Sequence, residues 1–399
     1  MRAWKHNIVL MLGGVLIALL LCEIVLRMTS ISWPSFYQPD TELGASLIPG
    51  AEGWWTKEGN AYVRINSAGL RDREHAHTKP AHTLRIAVLG DSFAEALQVP
   101  MEEAFWSVLE RELEGCPSLA GREPEVINFG VSGYGSAQEL LMLRHRVWSY
   151  DPDIVLLAFF PGNDVRNNSR VLEPEDMRPF FVFKNRELIP DFTFRNSARF
   201  RSMQTWVAWW KHRIKNASRI YQLLSQVRAI VTTRRDGLIE TGLDSMVYVE
   251  PRDQAWKEAW EVTDGLVLRM RDEVKAKGAD FLVVTLSTGS QVHPDPAVRQ
   301  SLEKRLGVSH LFYPDFHIRD LGQREGFSVL NLGPLFQSYA QEHRAFLHFE
   351  NSEVGTGHWN KDGHHLAGTL ITQKLCGDLL RKTSSSSSAA KRQVNVNHP

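Results

Sequence analysis

The 399-residue chain has no excess of either charge: 46 Lys and Arg balance 46 Asp and Glu. A nucleic-acid partner, which would want a basic surface, is therefore not expected. Cysteine is scarce, and Cys22, Cys116 and Cys376 are the complete set. That excludes a fold framed by disulfides and a cysteine-based zinc site. His293, His310, His317, His343, His348 and His364 show no ligand spacing with cysteine, so they are expected at the surface or at helix caps and no metal is expected. No glycine loop runs into Gly-Lys-Ser/Thr, which removes the phosphate loop. No internal repeat is visible, and nothing calls for a cofactor.

One long apolar run is present. Ile8 to Leu26 is interrupted only by Gly13, Gly14, Cys22 and Glu23, about enough to cross a bilayer as one helix. No small-x-small cleavage site follows it, and Leu19-Leu20-Leu21 before Cys22 is not a lipoprotein signal. Residues 1–30 therefore read as an uncleaved signal anchor, touching the membrane over residues 8–26. Arg2 and Lys5 precede the run and Arg27 follows, which places the N-terminus in the cytoplasm and the remainder outside, on the periplasmic or outer face. Glu23 either reaches the interface or pairs with Arg27 one turn on. Cys116 and Cys376 are expected as two separate buried thiols; a disulfide joining the end of the first helix of the domain to the last is the alternative for an extracytoplasmic domain.

Residues 31–83 are rich in Pro, Gly and Trp and hold short strand-like pieces such as Ala61–Ile65, then a turn at Asn66–Gly69. They read as a lead-in packed on the core, because Trp54, Trp55 and Tyr62 would otherwise face water. From residue 84 strands alternate with helices. Strands are expected at Leu84–Leu89, Glu125–Phe129, Ile154–Phe160, Asp280–Leu286 and Ser328–Asn331, and helices at Glu102–Glu114, Ala137–Trp148, Gln254–Ala276 and Lys361–Arg381. That pattern predicts an α/β domain over 84–382 with a five-stranded parallel sheet.

Residues 165–250 break the alternation. They hold Pro174, Pro179 and Pro190, then one helical stretch, Ala198–Val231, with Trp206, Trp209 and Trp210 among Arg199, Arg201, Lys211, Arg213, Lys215 and Arg219. The segment reads as an insertion over one edge of the sheet, a lid or partner surface. Its helix is expected to be packed by its tryptophans with a solvated charged face; contact with lipid headgroups is the alternative. Residues 383–399 open on Ser384–Ser388 and are expected to be disordered.

Four short motifs each follow a predicted strand or precede the last helix. The apolar run Arg85–Leu89 ends in Gly90-Asp91-Ser92, which delivers a serine to the carboxyl end of the sheet, where open α/β folds keep their sites. Asn128-Phe-Gly-Val-Ser-Gly-Tyr-Gly135 follows the second strand and frees backbone N–H groups. Gly162-Asn163-Asp164 follows the third and offers a side-chain amide, and Gly357-His358-Trp359-Asn360 offers an imidazole. A serine, N–H donors, an amide and a histidine are the parts that acyl transfer needs: nucleophile, oxyanion donors and base.

In these four motifs, in order across residues 84–380, the chain resembles the SGNH (GDSL-type) hydrolases. The resemblance implies a flavodoxin-like three-layer α/β/α sandwich. It implies Ser92 as nucleophile, an oxyanion hole from the N–H groups of Ser92 and Gly133 with the amide of Asn163, and His358 as general base. Asp91 would position the turn. The family usually carries Asp-x-x-His in its last motif, whereas here Gly355 stands three residues before His358 and a literal Asp-x-x-His falls at Asp362–His365. His358 is preferred because His-x-Asn followed by Gly363 and Ala367 resembles the family's last motif; Asn360 is also a good helix N-cap, which leaves His358 on the loop and puts His365 inside the helix. The group that orients His358 is then open: Glu353, another acid, a backbone carbonyl, or a Ser–His dyad with none. The implied activity is ester hydrolysis through an acyl-enzyme, on acylated cell-envelope or polysaccharide material. Acyl transfer by the same site and a non-catalytic glycan-binding or partner-binding domain are the alternatives.

Overall fold

The computed structural model describes residues 2–29, 32–173, 175–233, 244–349 and 357–379. Glu353, Gly355 and the Ser384–Ser388 tail lie outside the described residues.

The apolar N-terminal run forms one helix, α1 (Arg2–Met28), whose most apolar stretch has none of its residues buried in the protein. The lead-in follows as two antiparallel hairpins, Tyr37–Asp40 with Gly44–Leu47 and Glu52–Trp55 with Ala61–Arg64. Phe36, Leu43, Leu47, Val63 and Ile65 are buried in the main core cluster, and this holds the hairpins to the domain.

The domain is built on β1 (Thr83–Gly90), β2 (Glu123–Asn128), β3 (Ile154–Phe159), β4 (Asp280–Thr285) and β5 (Ser328–Asn331). Every neighbouring pair runs parallel, in the order β5-β4-β3-β1-β2. Read from the other edge this is 2-1-3-4-5, the flavodoxin-like order. Side chains alternate between faces along a strand, so a strand covered on both sides must be apolar at every position. In β1, Leu84, Ile86 and Val88 enter one core cluster and Ala87 and Leu89 the other. Between the strands run α2 (Phe105–Leu113), α3 (Ser136–His145), α4 (Trp206–Ala217), α5 (Arg219–Thr233) and α6 (Gln254–Ala276), and after them α7 (Leu332–His343) and α8 (Lys361–Lys374). Buried residues of α2, α7 and α8 cover one face and those of α3 and α6 the other, which gives the three-layer sandwich.

Three expectations are corrected. Cys116 and Cys376 are bridged, not separate thiols: the turn after α2 and the end of α8 are brought to a Cα separation of 5.9 Å because both helices lie on the same face. The Ala198–Val231 stretch is not one helix. It breaks into Ala198–Met203, α4 and α5, because the Thr205 side chain caps α4 and Ser218, in extended backbone, ends it. Trp206, Trp209 and Trp210 do not pack it on the core; all three are exposed.

Candidate active site

Burial sets the first group. Gly90 ends β1 where a Cβ would come within 2.8 Å of Ala94 and 3.1 Å of Ala158, so the chain can turn there only without a side chain. Asp91 is the N-cap of a single helical turn, Ser92–Glu95, and its carboxylate accepts from the N–H of Phe93 at 3.0 Å. This turn puts Ser92 at the carboxyl end of β1. Asn163 sits in the loop after β3, the strand beside β1. The strand order reverses between these two, which is where open α/β sheets form their crevice.

The last motif reaches the same place from the other end of the chain. Asn360 caps α8 by accepting from the N–H groups of Asp362 and Gly363 at 3.0 Å each. Phe349 N–H donates to the His358 carbonyl at 2.9 Å and Asn360 N–H to that of Leu347 at 3.1 Å, and these bonds clasp the loop to residues 347–349. His358 Nε2 then lies 2.7 Å from Ser92 Oγ. Phe93 supports the imidazole, with ring centroids 4.9 Å apart. The alternative register is not assembled: Asp362 and His365 are exposed on α8, since the Asn360 cap sets their faces toward solvent.

The orienting acid was not found in the sequence. It is Glu58, in the turn of the second lead-in hairpin, 300 residues before the histidine. Its Oε2 lies 2.5 Å from His358 Nδ1, and its Oε1 accepts from the His358 N–H at 2.8 Å. Gly59 makes the approach feasible. It has φ +66°, and a Cβ there would stand 2.1 Å from the Gln98 carbonyl. A carboxylate next to a glycine between two strand-like pieces was the only signal, and it matches many ordinary turns.

The oxyanion candidates converge less symmetrically. Gly133 has φ +78°, in the left-handed region that favours glycine, and is exposed. The loop before it is tied to the turn of Ser92: Glu95 Oε2 accepts from Ser132 N–H at 3.1 Å and from the Ser132 hydroxyl, and from Tyr37 Oη at 2.8 Å. Burial pushes the Glu95 carboxyl up to about 7, against the pull of those donors and of Arg71. Asn163 Nδ2 donates to Asp91 Oδ2 at 2.9 Å, so Asp91, itself raised to about 6 by burial, holds the amide as well as the turn.

His348 and His364 are buried, not surface or cap residues. His348 Nδ1 lies 2.8 Å from the Gly357 carbonyl and Nε2 3.1 Å from Ser287 Oγ. Burial lowers it to about 4, so it braces the His358 loop as a neutral ring. Among the described residues no group of three or more His, Cys, Asp and Glu could hold a metal ion.

No protein-family model matches the chain, and no curated protein does. Among solved structures it is similar to the acetyl xylan esterase AlAXEase, at 12% identity over 72% of this chain and 97% of that one, with a TM-score of 0.37. It is also similar to the lipase/acylhydrolase from Enterococcus faecalis, at 13% identity over 73% and 95% of the two chains, with a TM-score of 0.35. A catalytic mutant of an acetylxylan esterase from Geobacillus stearothermophilus compares at 10% identity over 74% and 95%, with a TM-score of 0.37.

Proposed function

We propose that the chain is an SGNH-type serine ester hydrolase that works through an acyl-enzyme at Ser92. The observation that carries this is the unbroken relay from Glu58 to His358 Nδ1 and from His358 Nε2 to Ser92 Oγ, at 2.5 and 2.7 Å. A carboxylate on Nδ1 fixes the tautomer with its proton there, which turns the Nε2 lone pair toward the hydroxyl. As Oγ bonds to the ester carbonyl carbon, its proton passes to Nε2. The oxygen that becomes negative is met by the N–H groups of Ser92 and Gly133 and by Asn163. An amide nitrogen has two hydrogens; one serves Asp91, and the other is the one offered to the oxyanion. His358 returns the proton to the departing alcohol, then takes one from the water that hydrolyses the acyl-enzyme.

Two features support a place for the domain. α1 serves as a membrane anchor, and the Cys116–Cys376 disulfide fits an oxidising compartment. Both favour an extracytoplasmic domain acting on acylated envelope material, such as an acylated polysaccharide. Ser92→Ala is expected to abolish hydrolysis of a short-chain p-nitrophenyl ester and labelling by a fluorophosphonate. Turnover of that ester by the variant at the wild-type rate would refute the mechanism.

A further inference from the structure

Among the described residues, none covers the apolar face of the insertion. Trp206, Trp209, Trp210 and Ile214 of α4 and Leu224 and Val227 of α5 are all exposed, Trp206 at 72% and Leu224 at 63%. Soluble surfaces seldom carry so many large apolar side chains together unless something covers them. The two helices carry no negative charge of their own, since no Asp or Glu occurs between Asp191 and Asp236. Lys211 and Arg213 are exposed on α4, and the Arg213 guanidinium lies 4.8 Å from the ring centre of Trp209.

Position says what the cover is. The corner between α4 and α5 is fastened to the last turns of α1. Glu23 accepts from the N–H groups of Arg219 at 3.0 Å and Ile220 at 3.2 Å, and Arg27 donates to the Ala217 carbonyl at 2.5 Å. α4 therefore ends, and α5 begins, where α1 meets the domain. Tryptophan is the residue of membrane–water interfaces, and lysine and arginine are drawn to anionic headgroups.

We propose that α4 and α5 lie in the headgroup layer of the bilayer that α1 spans, with anionic phospholipid as their partner. The inference rests on α1 as a membrane span and is independent of the chemistry at Ser92. It gives the domain a second hold on the membrane, so that the domain cannot swing about a single tether. It also sets a cavity at headgroup level: a space of about 790 Å³ is lined by Trp209, Arg213, Met203, Gln38 and Pro39. The last three also line a neighbouring cavity of about 360 Å³ that reaches Ser132 and Gly133.

The test uses the full chain in vesicles of phosphatidylethanolamine and phosphatidylglycerol. Nitroxide labels are placed at Val207→Cys, Trp210→Cys and Leu224→Cys, one at a time in a Cys22→Ser background, with Lys304→Cys as the aqueous reference. Circular dichroism confirms that each labelled protein is folded. The three labels are expected to collide with oxygen several-fold more, relative to a water-soluble nickel chelate, than the label at position 304. Ratios equal to that reference would overturn the proposal. So would labels that are immobilised yet water-like, which would mark a protein neighbour instead.

Discussion

The carboxyl edge of the sheet and the lead-in hairpins meet at one serine, but they reach it by different means. Ser92, Asn163 and the loop of Gly133 are each carried by the end of a strand. Once β1, β2 and β3 pair in parallel register, their ends are neighbours without further instruction. Glu58 has no such guarantee. It arrives because a hairpin buries Val63 and Ile65 in the core and because Gly59 lets its turn close on Gln98. The nucleophile and the candidate oxyanion donors sit at strand ends of the sheet, whereas the base comes on a loop clasped to residues 347–349 and the acid facing it is delivered by tertiary docking.

Exchanging the docked group gives the largest effect that separates the two regions. Glu58→Gln keeps the shape of the turn and removes the charge on Nδ1, and kcat/KM for a p-nitrophenyl ester is expected to fall by about 10⁴, as when a triad aspartate becomes asparagine. An unchanged kcat/KM would make the hairpin a structural cover only, and the comparison would fail. A strand-end group comes next. Asn163→Ala is expected to lower kcat by about 10²–10³ with KM little changed, the usual cost of one oxyanion donor. A loss confined to KM would place the amide in binding.

The smallest effect lies where the regions join, at the bond between Tyr37 and Glu95. Because burial raises Glu95 from an ordinary 4.5 to about 7, the folded state holds a proton there that the unfolded chain releases. Its contribution to stability is fully present below about pH 4.5 and is lost as pH rises through about 7. Glu95→Gln removes that dependence. The thermal midpoint of the variant should therefore gain on the wild type across this window, and a constant difference between the two would show that the carboxyl does not titrate there.

How much could be read beforehand varied in the same way. The apolar β1 run and the strand–helix alternation sufficed for an α/β domain with a five-stranded parallel sheet and a serine at its carboxyl end, whereas the flavodoxin-like sandwich came from the resemblance that the four motifs carry. The motif resemblance favoured His358 over His365, and Asn360 as N-cap supported it, because a cap fixes which neighbours leave the helix. The exposed tryptophans of α4 were misjudged because amphipathic spacing shows that a face exists but not what covers it. His348 and His364 were misjudged because burial of an isolated histidine depends on neighbours far away in the chain.

By itself the sequence determined what local rules control: the strands with two buried faces, the turns that glycine permits, the caps, and one helix apolar enough to span a bilayer. Only the tertiary structure decided which carboxylate faces His358, whether Cys116 meets Cys376, and where α4 and α5 lie against α1. These are encounters between segments up to 300 residues apart. They follow from the packing of whole faces and leave no periodic trace in the residues that make them.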